Sequence, residues 1–462
     1  MKFINRKQEI KIIQECKELS KNKLYSLCIY GLRRIGKTRL ILENLDENDL
    51  YFFVNKDKSS LSLLSEYELI LRNKKIITEY EKIAEWEQLI QILIARHTGF
   101  IVFDEFQNFE NVEPSIFGII QKEFDLNENK KELLWLFSGS SIGLIKKLFF
   151  DRSEPLYGRI KRKMQLKELN IHGVIEMCNK LEISSFSEIL KLYFIFGGFP
   201  KYYVSIEDEK LNSTKEIIDK FFLSTNAVLE EEVMGILAME FGKRSGTYYN
   251  ILGSLAQGNS KLSDLASSLS TKQTSLTRQI RELIDYFELI EIEKQCIGNK
   301  SLMKFKHPLV YFWFYFFFRQ ISDYKIRKKE FIYHFWLNLN NFYSKRFESF
   351  CLDLSKWLFP EYKIARQWGK FKGEKGKNTY ELDVVGINEE KKEILFGEVK
   401  WQDNVDPTPI LGSIRKKANH VLWNNDKRSE KYIIFAKSFK NKIESKDVLQ
   451  FDLNDIEKKL LK

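Results

Sequence analysis

Solidly apolar runs bounded by polar turns mark the first part of the chain: Leu24–Tyr30 (LYSLCIY), Gly99–Phe103 (GFIVF) and Leu133–Phe137 (LLWLF). Runs this short and this uniformly apolar read as strands buried on both faces, as in a parallel sheet, and the amphipathic stretch RLILENL reads as a covering helix. From about Tyr248 the pattern changes to short helical segments, Ile251–Ala256, Ser263–Leu269 and Ser275–Tyr286. Leu276, Ile280, Leu283 and Ile284 recur at helical spacing, and a polar turn, Ser270–Thr274, precedes the third segment. Two alternating strands follow, Leu289–Glu293 and Ser301–Lys306, joined through Gly298-Asn299-Lys300. The most apolar run, Leu309–Phe318, has ten residues where a membrane span needs about twenty, and reads as a buried helix. Near the end, Thr379–Val385 alternates, a charged turn intervenes, and strand Ile394–Trp401, helix Ile410–Leu422 and strand Tyr432–Ala436 follow.

Composition narrows the class. With 462 residues, 44% hydrophobic and 30% charged, the chain is too large for one core and too apolar for overall disorder. Lys+Arg number 75 against 64 Asp+Glu, a net +11 that favours a polyanionic partner. Nucleic acid, DNA first, is preferred to a membrane surface; lysine inflated by codon bias is the plain alternative. Residues 331–462 hold 25 of the basic and 19 of the acidic residues, more than half of the excess. Five dispersed cysteines without a CxxC pair give no disulfide framework or zinc site, and the compartment expected is a reducing one, the cytoplasm. The opening MKFINRKQEI lacks the apolar core of a signal peptide, and the five histidines are too scattered for a zinc site.

Gly31-Leu-Arg33-Arg34-Ile-Gly36-Lys37-Thr38 stands between the first strand and its helix. This is the G-x4-GKT phosphate-binding loop in the context its chemistry requires. The glycines let backbone N–H groups face phosphates, Lys37 neutralises β/γ charge, and the Thr38 hydroxyl suits Mg²⁺. Asp104 and Glu105 end the next strand; Asp104 suits Mg²⁺ and Glu105 suits polarising a water. Ser138, at the end of Leu133–Phe137, suits sensing the γ-phosphate or orienting water, with a simple Ser/Gly turn as the alternative. Arg159 suits neutralising transition-state charge, in cis or from a neighbouring subunit of a homo-oligomer; a surface arginine beside Lys161 and Arg162 is the plainer option.

Phe3-Ile-Asn5-Arg6 with Glu9, the Gly31–Thr38 loop, Asp104-Glu105-x-Gln107, Ser138-Gly-Ser140, Pro155-Leu-Tyr-Gly158-Arg159 and Gly197-Gly198-Phe-Pro200 occur in that order. Together they resemble the archaeal-type ATPase family of the STAND/AAA-related P-loop NTPases, in the version with a C-terminal domain of unknown function. The resemblance implies ATP as the nucleotide, with Asn5, Arg6, Arg33, Arg34 and Arg39 beside it, and a helical lid that includes Gly197–Pro200.

The helix, helix, turn, helix, hairpin order is the winged-helix pattern, and Lys272, Arg278 and Arg281 on its third helix are types that meet phosphates and base edges. A rigid interdomain spacer is the competing reading, and Glu282 and Asp285 weaken the helix as a groove reader. At the end of the chain, Asp383 on one strand and Glu398 with Lys400 on the next present carboxylates able to hold Mg²⁺ beside a lysine able to orient water. This D-x14-E-x-K pattern resembles the PD-(D/E)xK nuclease superfamily, with Leu382 in place of the motif proline and Glu348 on the preceding helix as a third acid. In the related family, intact motif residues do not guarantee turnover.

The fold expected is α/β: a P-loop NTPase parallel-sheet core over 1–165, a helical lid over 166–240, a winged helix over 241–306, a helical connector over 307–330, and a restriction-endonuclease-like α/β domain over 331–462. The function expected is ATP binding and hydrolysis coupled to nucleic-acid binding or Mg²⁺-dependent cleavage. The alternatives are a non-nucleolytic switch acting on a protein partner and, less favoured because one core lacks a second lobe, a DNA-translocating motor.

Overall fold

A computed structural model describes residues 3–130, 132–241, 245–372 and 377–461. Five strands, β1 (Tyr25–Tyr30), β2 (Leu50–Phe53), β3 (Gly99–Asp104), β4 (Leu133–Gly139) and β5 (Arg162–Gln165), form an all-parallel sheet in the order β2-β3-β4-β1-β5. Parallel strands need crossovers that cover both faces, which is why β1, β3 and β4 are apolar throughout rather than alternating. One face buries Leu27, Ile29, Val102 and Leu136 under the helices Lys7–Ser20 and Lys37–Leu42; the other buries Cys28, Phe103, Trp135 and Phe137. All five cysteines are buried and unpaired.

The chain divides into two compact units, one of residues 1–173, 198–209 and 285–287, the other of 174–197, 210–284 and 288–462. The expected lid is therefore shared between them rather than standing as one part. Its Gly197–Pro200 corner belongs with the nucleotide-binding sheet: Leu169 N–H donates to the Gly198 carbonyl at 2.8 Å, and Gly198 N–H to Glu168 Oε2 at 3.1 Å. A Cβ at Gly198 would lie 1.8 Å from the Leu169 carbonyl oxygen, so this backbone approach excludes every other residue.

In the second unit, helices Ser245–Ala256, Leu262–Ser268 and Gln273–Arg281 precede an antiparallel pair, β6 (Ile290–Lys294) and β7 (Ser301–Phe305). The aromatic run forms helix Pro308–Phe316, buried by Phe335 and Phe342 of the long helix Lys329–Leu358. A second sheet has the order β12-β11-β10-β9-β8, from β8 (Lys363–Lys372), β9 (Lys377–Asn388), β10 (Glu393–Lys400), β11 (Ser429–Ala436) and β12 (Val448–Phe451). β8, β9 and β10 run antiparallel, while β11 is parallel to β10 after helix Pro407–Ala418. The strands expected near Thr379–Val385, Ile394–Trp401 and Tyr432–Ala436 and the helix between the last two are present, with β8, β12 and helix Leu453–Leu460 in addition.

Two irregularities place the chemistry. The β8–β9 register shifts between Ala365 and Gln367, where Val384 and Asp383 together oppose Arg366. Leu382 and Val385, three apart, consequently both join the apolar cluster that simple alternation would split between faces. The loop after β6 also docks on β8: Cys296 N–H donates to the Arg366 carbonyl and Ile297 N–H to Gln367 Oε1, each at 2.9 Å, and Cys296 enters that cluster.

Candidate functional site

The loop after β1 turns into helix Lys37–Leu42 through Gly36, whose φ of 92° suits glycine and aims the helix N-terminus back over the strand end. Lys37 is buried and its ammonium donates to the Gly31 and Leu32 carbonyls at 2.9 and 3.0 Å, which holds it over the loop. Thr38 Oγ1 donates to Asp104 Oδ2 at 2.8 Å, so the two oxygens expected at a divalent cation already meet. Asp104 also accepts from Tyr51 Oη at 2.8 Å and from the Glu105 N–H at 3.0 Å. Burial, together with that carboxylate, pushes the Tyr51 phenol far above its ordinary value and keeps it a donor.

Glu105 has a left-handed backbone, φ 56°, and its Oε2 accepts from Ser140 Oγ at 2.6 Å and Gln107 Nε2 at 2.5 Å. The hydroxyl that meets Glu105 is that of Ser140 rather than the expected Ser138. Ser138 is fully buried in β4, and its Oγ has no hydrogen-bond partner among the described residues. Arg6 is buried and bridges Glu9 at 2.9 Å and the Ile35 carbonyl at 3.2 Å, tying the chain start to the loop, while Asn5 is exposed. Arg33 is half-buried and Arg34 exposed at positive φ; Arg39 is turned along its helix to Glu43 at 2.5 Å.

The cis role expected of Arg159 is also corrected. Its carbonyl accepts from Ser26 Oγ at the start of β1, and its guanidinium binds Asp125 at 2.9 Å. From Ser26 to the phosphate loop, β1 rises roughly 16 Å, beyond an arginine's reach, so in cis Arg159 is a surface ion pair.

In the second sheet, the β9–β10 ladder ends at the pair Val384–Gly397, and the next residue on each strand is an acid, Asp383 and Glu398. Asp383 Oδ2 accepts the Val399 N–H at 2.9 Å. Burial first, then the carboxylates of Glu348 and Glu398, push Asp383 up to about 7 against the pull of that N–H and of Arg366. Glu398 is bound on both oxygens, by Lys400 Nζ at 2.9 Å and Lys417 Nζ at 2.8 Å. Burial works against the Lys400 charge, yet Glu398, Asp383 and Glu348 hold its pKa above the usual range. Glu348 is taken by Arg366 at 2.9 Å; burial still raises it above the ordinary carboxylate value. Among the described residues no three His, Cys, Asp or Glu side chains gather to hold a metal ion; of the expected trio, Glu348 is held by the Arg366 guanidinium, while Asp383 and Glu398 stand at the end of the β9–β10 ladder. Trp401 is buried against Phe347 and Phe194 and anchors the end of β10.

Lys272, Arg278 and Arg281 are all exposed on or beside helix Gln273–Arg281, and Lys272 lines an open groove of about 830 Å³ with Ser263, Ser267, Ser270, Thr271 and Thr274. Arg278 is paired to Glu282 at 2.9 Å.

Tyr51, Arg366 and Lys417 were not legible as site residues, and Gln107 stood only as a motif position without a role. Tyr51 reaches Asp104 from the neighbouring strand, and nothing local marks it. Lys417 had a signal: it lies three residues after Ile414, on the buried side of its helix.

Residues 3–206 match a family described as an ATPase domain predominantly from Archaea, and residues 313–417 match a family of archaeal and bacterial proteins of unknown function. An uncharacterized protein of Methanocaldococcus jannaschii is 27% identical over 98% of this chain and 99% of its own length. Among solved structures, a Walker-type ATPase of Pyrococcus abyssi superposes with a TM-score of 0.52 at 17% identity, covering 68% of this chain and 96% of that one, a likeness of fold. No helix among the described residues is long and apolar enough to cross a membrane. The phosphate loop, the Thr38–Asp104 contact and the Glu105–Ser140 contact all lie within residues 3–206, so the chain joins a segment similar to that archaeal ATPase domain to a C-terminal segment similar to the second family.

Proposed function

We propose that ATP binding and hydrolysis at the Gly31–Thr38 loop govern a C-terminal site that holds, and with Mg²⁺ cleaves, nucleic acid. The observation that carries the reading is the pairing of Asp383 and Glu398 with Lys400 where the β9–β10 ladder ends, in one chain with an ATPase. Hard oxygens from two carboxylates fit a divalent cation that keeps several waters, and Thr38 with Asp104 fits one at the nucleotide. When bound, such an ion supplies charge neutralisation at the phosphates and lowers the pKa of its water.

The chain's own groups do the rest. Lys37 leaves the Gly31 and Leu32 carbonyls for the β/γ-phosphates. Glu105, oriented by Ser140 and Gln107, holds the attacking water as its base. At the second site Lys400 lies beside Glu398, placed to orient a water toward a phosphodiester. The three helices and the β6–β7 hairpin suit a winged helix; with the hairpin's loop docked on β8, the spacer reading gains over DNA contact by the wing. Excess positive charge over 331–462 supports a polyanion there.

A second reading, a non-nucleolytic switch for a protein partner, draws on Glu398 being covered by two ammonium groups. Steady-state ATPase measured with DNA, RNA or neither separates them. Stimulation by nucleic acid that Lys37→Ala abolishes supports the proposal; indifference to both nucleic acids favours the switch.

A further inference from the structure

Lys417 lies outside the D-x14-E-x-K pattern, yet its ammonium is 2.8 Å from Glu398 Oε2, as close as that of Lys400 to Oε1. The two lysines arrive from different elements. Lys400 shares strand β10 with Glu398, two residues away, so it stays beside the carboxylate whatever else binds. Lys417 comes from the last turn of helix Pro407–Ala418, which Leu411, Ile414 and Ala418 bury against the sheet, and only its own flexible stem sets where its charge lies. A cation shared by Asp383 and Glu398 competes with an ammonium at either Glu398 oxygen, and Oε2 is the one that Lys417 holds.

We propose that Lys417 is an internal counter-ion that occupies the metal's place on Glu398 and, when a divalent cation enters, yields that oxygen and moves to the substrate phosphate. The inference rests on the proposed reading of this site as one that holds a divalent cation beside nucleic acid. Two opposed effects follow from one residue. Removing the ammonium frees Glu398 for metal, and it removes a positive charge from the phosphodiester. A lysine that merely braced the helix against the strand would produce neither pair of signs, since loosening the carboxylate weakens metal binding.

The test uses the full chain without nucleotide and counts Mn²⁺ by titration, with Asp383→Ala as the subtraction that isolates the C-terminal ion. Lys417→Gln is expected to tighten the Asp383-dependent Mn²⁺ about tenfold, and to weaken binding of a duplex or single-stranded oligonucleotide in Ca²⁺ by about the same factor. Lys417→Arg, which keeps the charge, is expected to restore both toward the wild-type values. Equal or weaker Mn²⁺ binding by a folded Lys417→Gln overturns the counter-ion role while leaving the metal site standing. Tighter Mn²⁺ with unchanged oligonucleotide affinity overturns the phosphate role. If neither wild type nor Lys417→Gln has any Asp383-dependent Mn²⁺, both the inference and the metal reading of the site fall.

Discussion

The acids at the ends of the two sheets are held in opposite ways. At the nucleotide end, Asp104 and Glu105 accept from neutral donors: Thr38, Tyr51, Ser140, Gln107 and a backbone N–H. At the C-terminal end, the carboxylates of Glu348 and Glu398 are met by Arg366, Lys400 and Lys417. Neutral donors fix a carboxylate's direction without cancelling its charge, so the first site stays electrostatically ready for Mg²⁺. Cations cancel the charge, and the second site is balanced by the chain itself. The difference separates carboxylates oriented by neutral donors from carboxylates already paired with cations of the same chain.

Breaking the nucleotide end gives the largest expected change. Glu105→Gln keeps the hydrogen bond to Ser140 in shape but removes the base, and kcat for ATP is expected to fall about 10²–10⁴-fold with ATP binding retained. Wild-type turnover would remove Glu105 from the mechanism. Stability sharpens the contrast. Arg366→Leu strands the half-buried Glu348 carboxylate and is expected to cost about 1–3 kcal/mol in denaturant unfolding. Tyr51→Phe takes one neutral donor from Asp104 and should cost only about 1 kcal/mol. Equal losses would mean that the two sites are held alike.

A smaller, pH-dependent effect follows at Asp383, whose pKa in the fold, about 7, lies above the ordinary carboxylate value of 3.8. Between those values the folded chain binds a proton that the unfolded chain has released. The contribution to stability is complete below pH 3.8 and is lost as pH rises through about 7. Asp383→Asn, which cannot ionise, should match wild type near pH 4 and exceed it by about 1–3 kcal/mol at pH 8. A gain that is the same at both pH values would show that the effect is not ionisation.

The nucleotide end was largely legible because its chemistry is contiguous: loop, strand and strand-end acids each lie within a few residues. Even there the reading chose Ser138 over Ser140, since the point at which β4 gives way to loop decides which hydroxyl meets Glu105. Arg159 was misplaced for a related reason. Strand direction puts it at the start of β1, and that is a property of the sheet rather than of Pro155–Arg159. In the second sheet, alternation found Asp383, Glu398 and Lys400 but not the register shift opposite Arg366, which reassigns faces without any glycine or proline to announce it. Arg366 and Lys417 come from other elements, where only the folded register brings charge to charge.

Whether nucleotide governs a C-terminal site acting on nucleic acid is decided by a cleavage assay with the full chain. Wild type, Asp383→Ala and Lys400→Ala are incubated with DNA and RNA substrates in Mg²⁺ or Mn²⁺, with and without ATP. Cleavage by wild type that depends on ATP and disappears in both variants is the predicted result. Equal cleavage by all three proteins, or none by wild type with metal and ATP present, would contradict it.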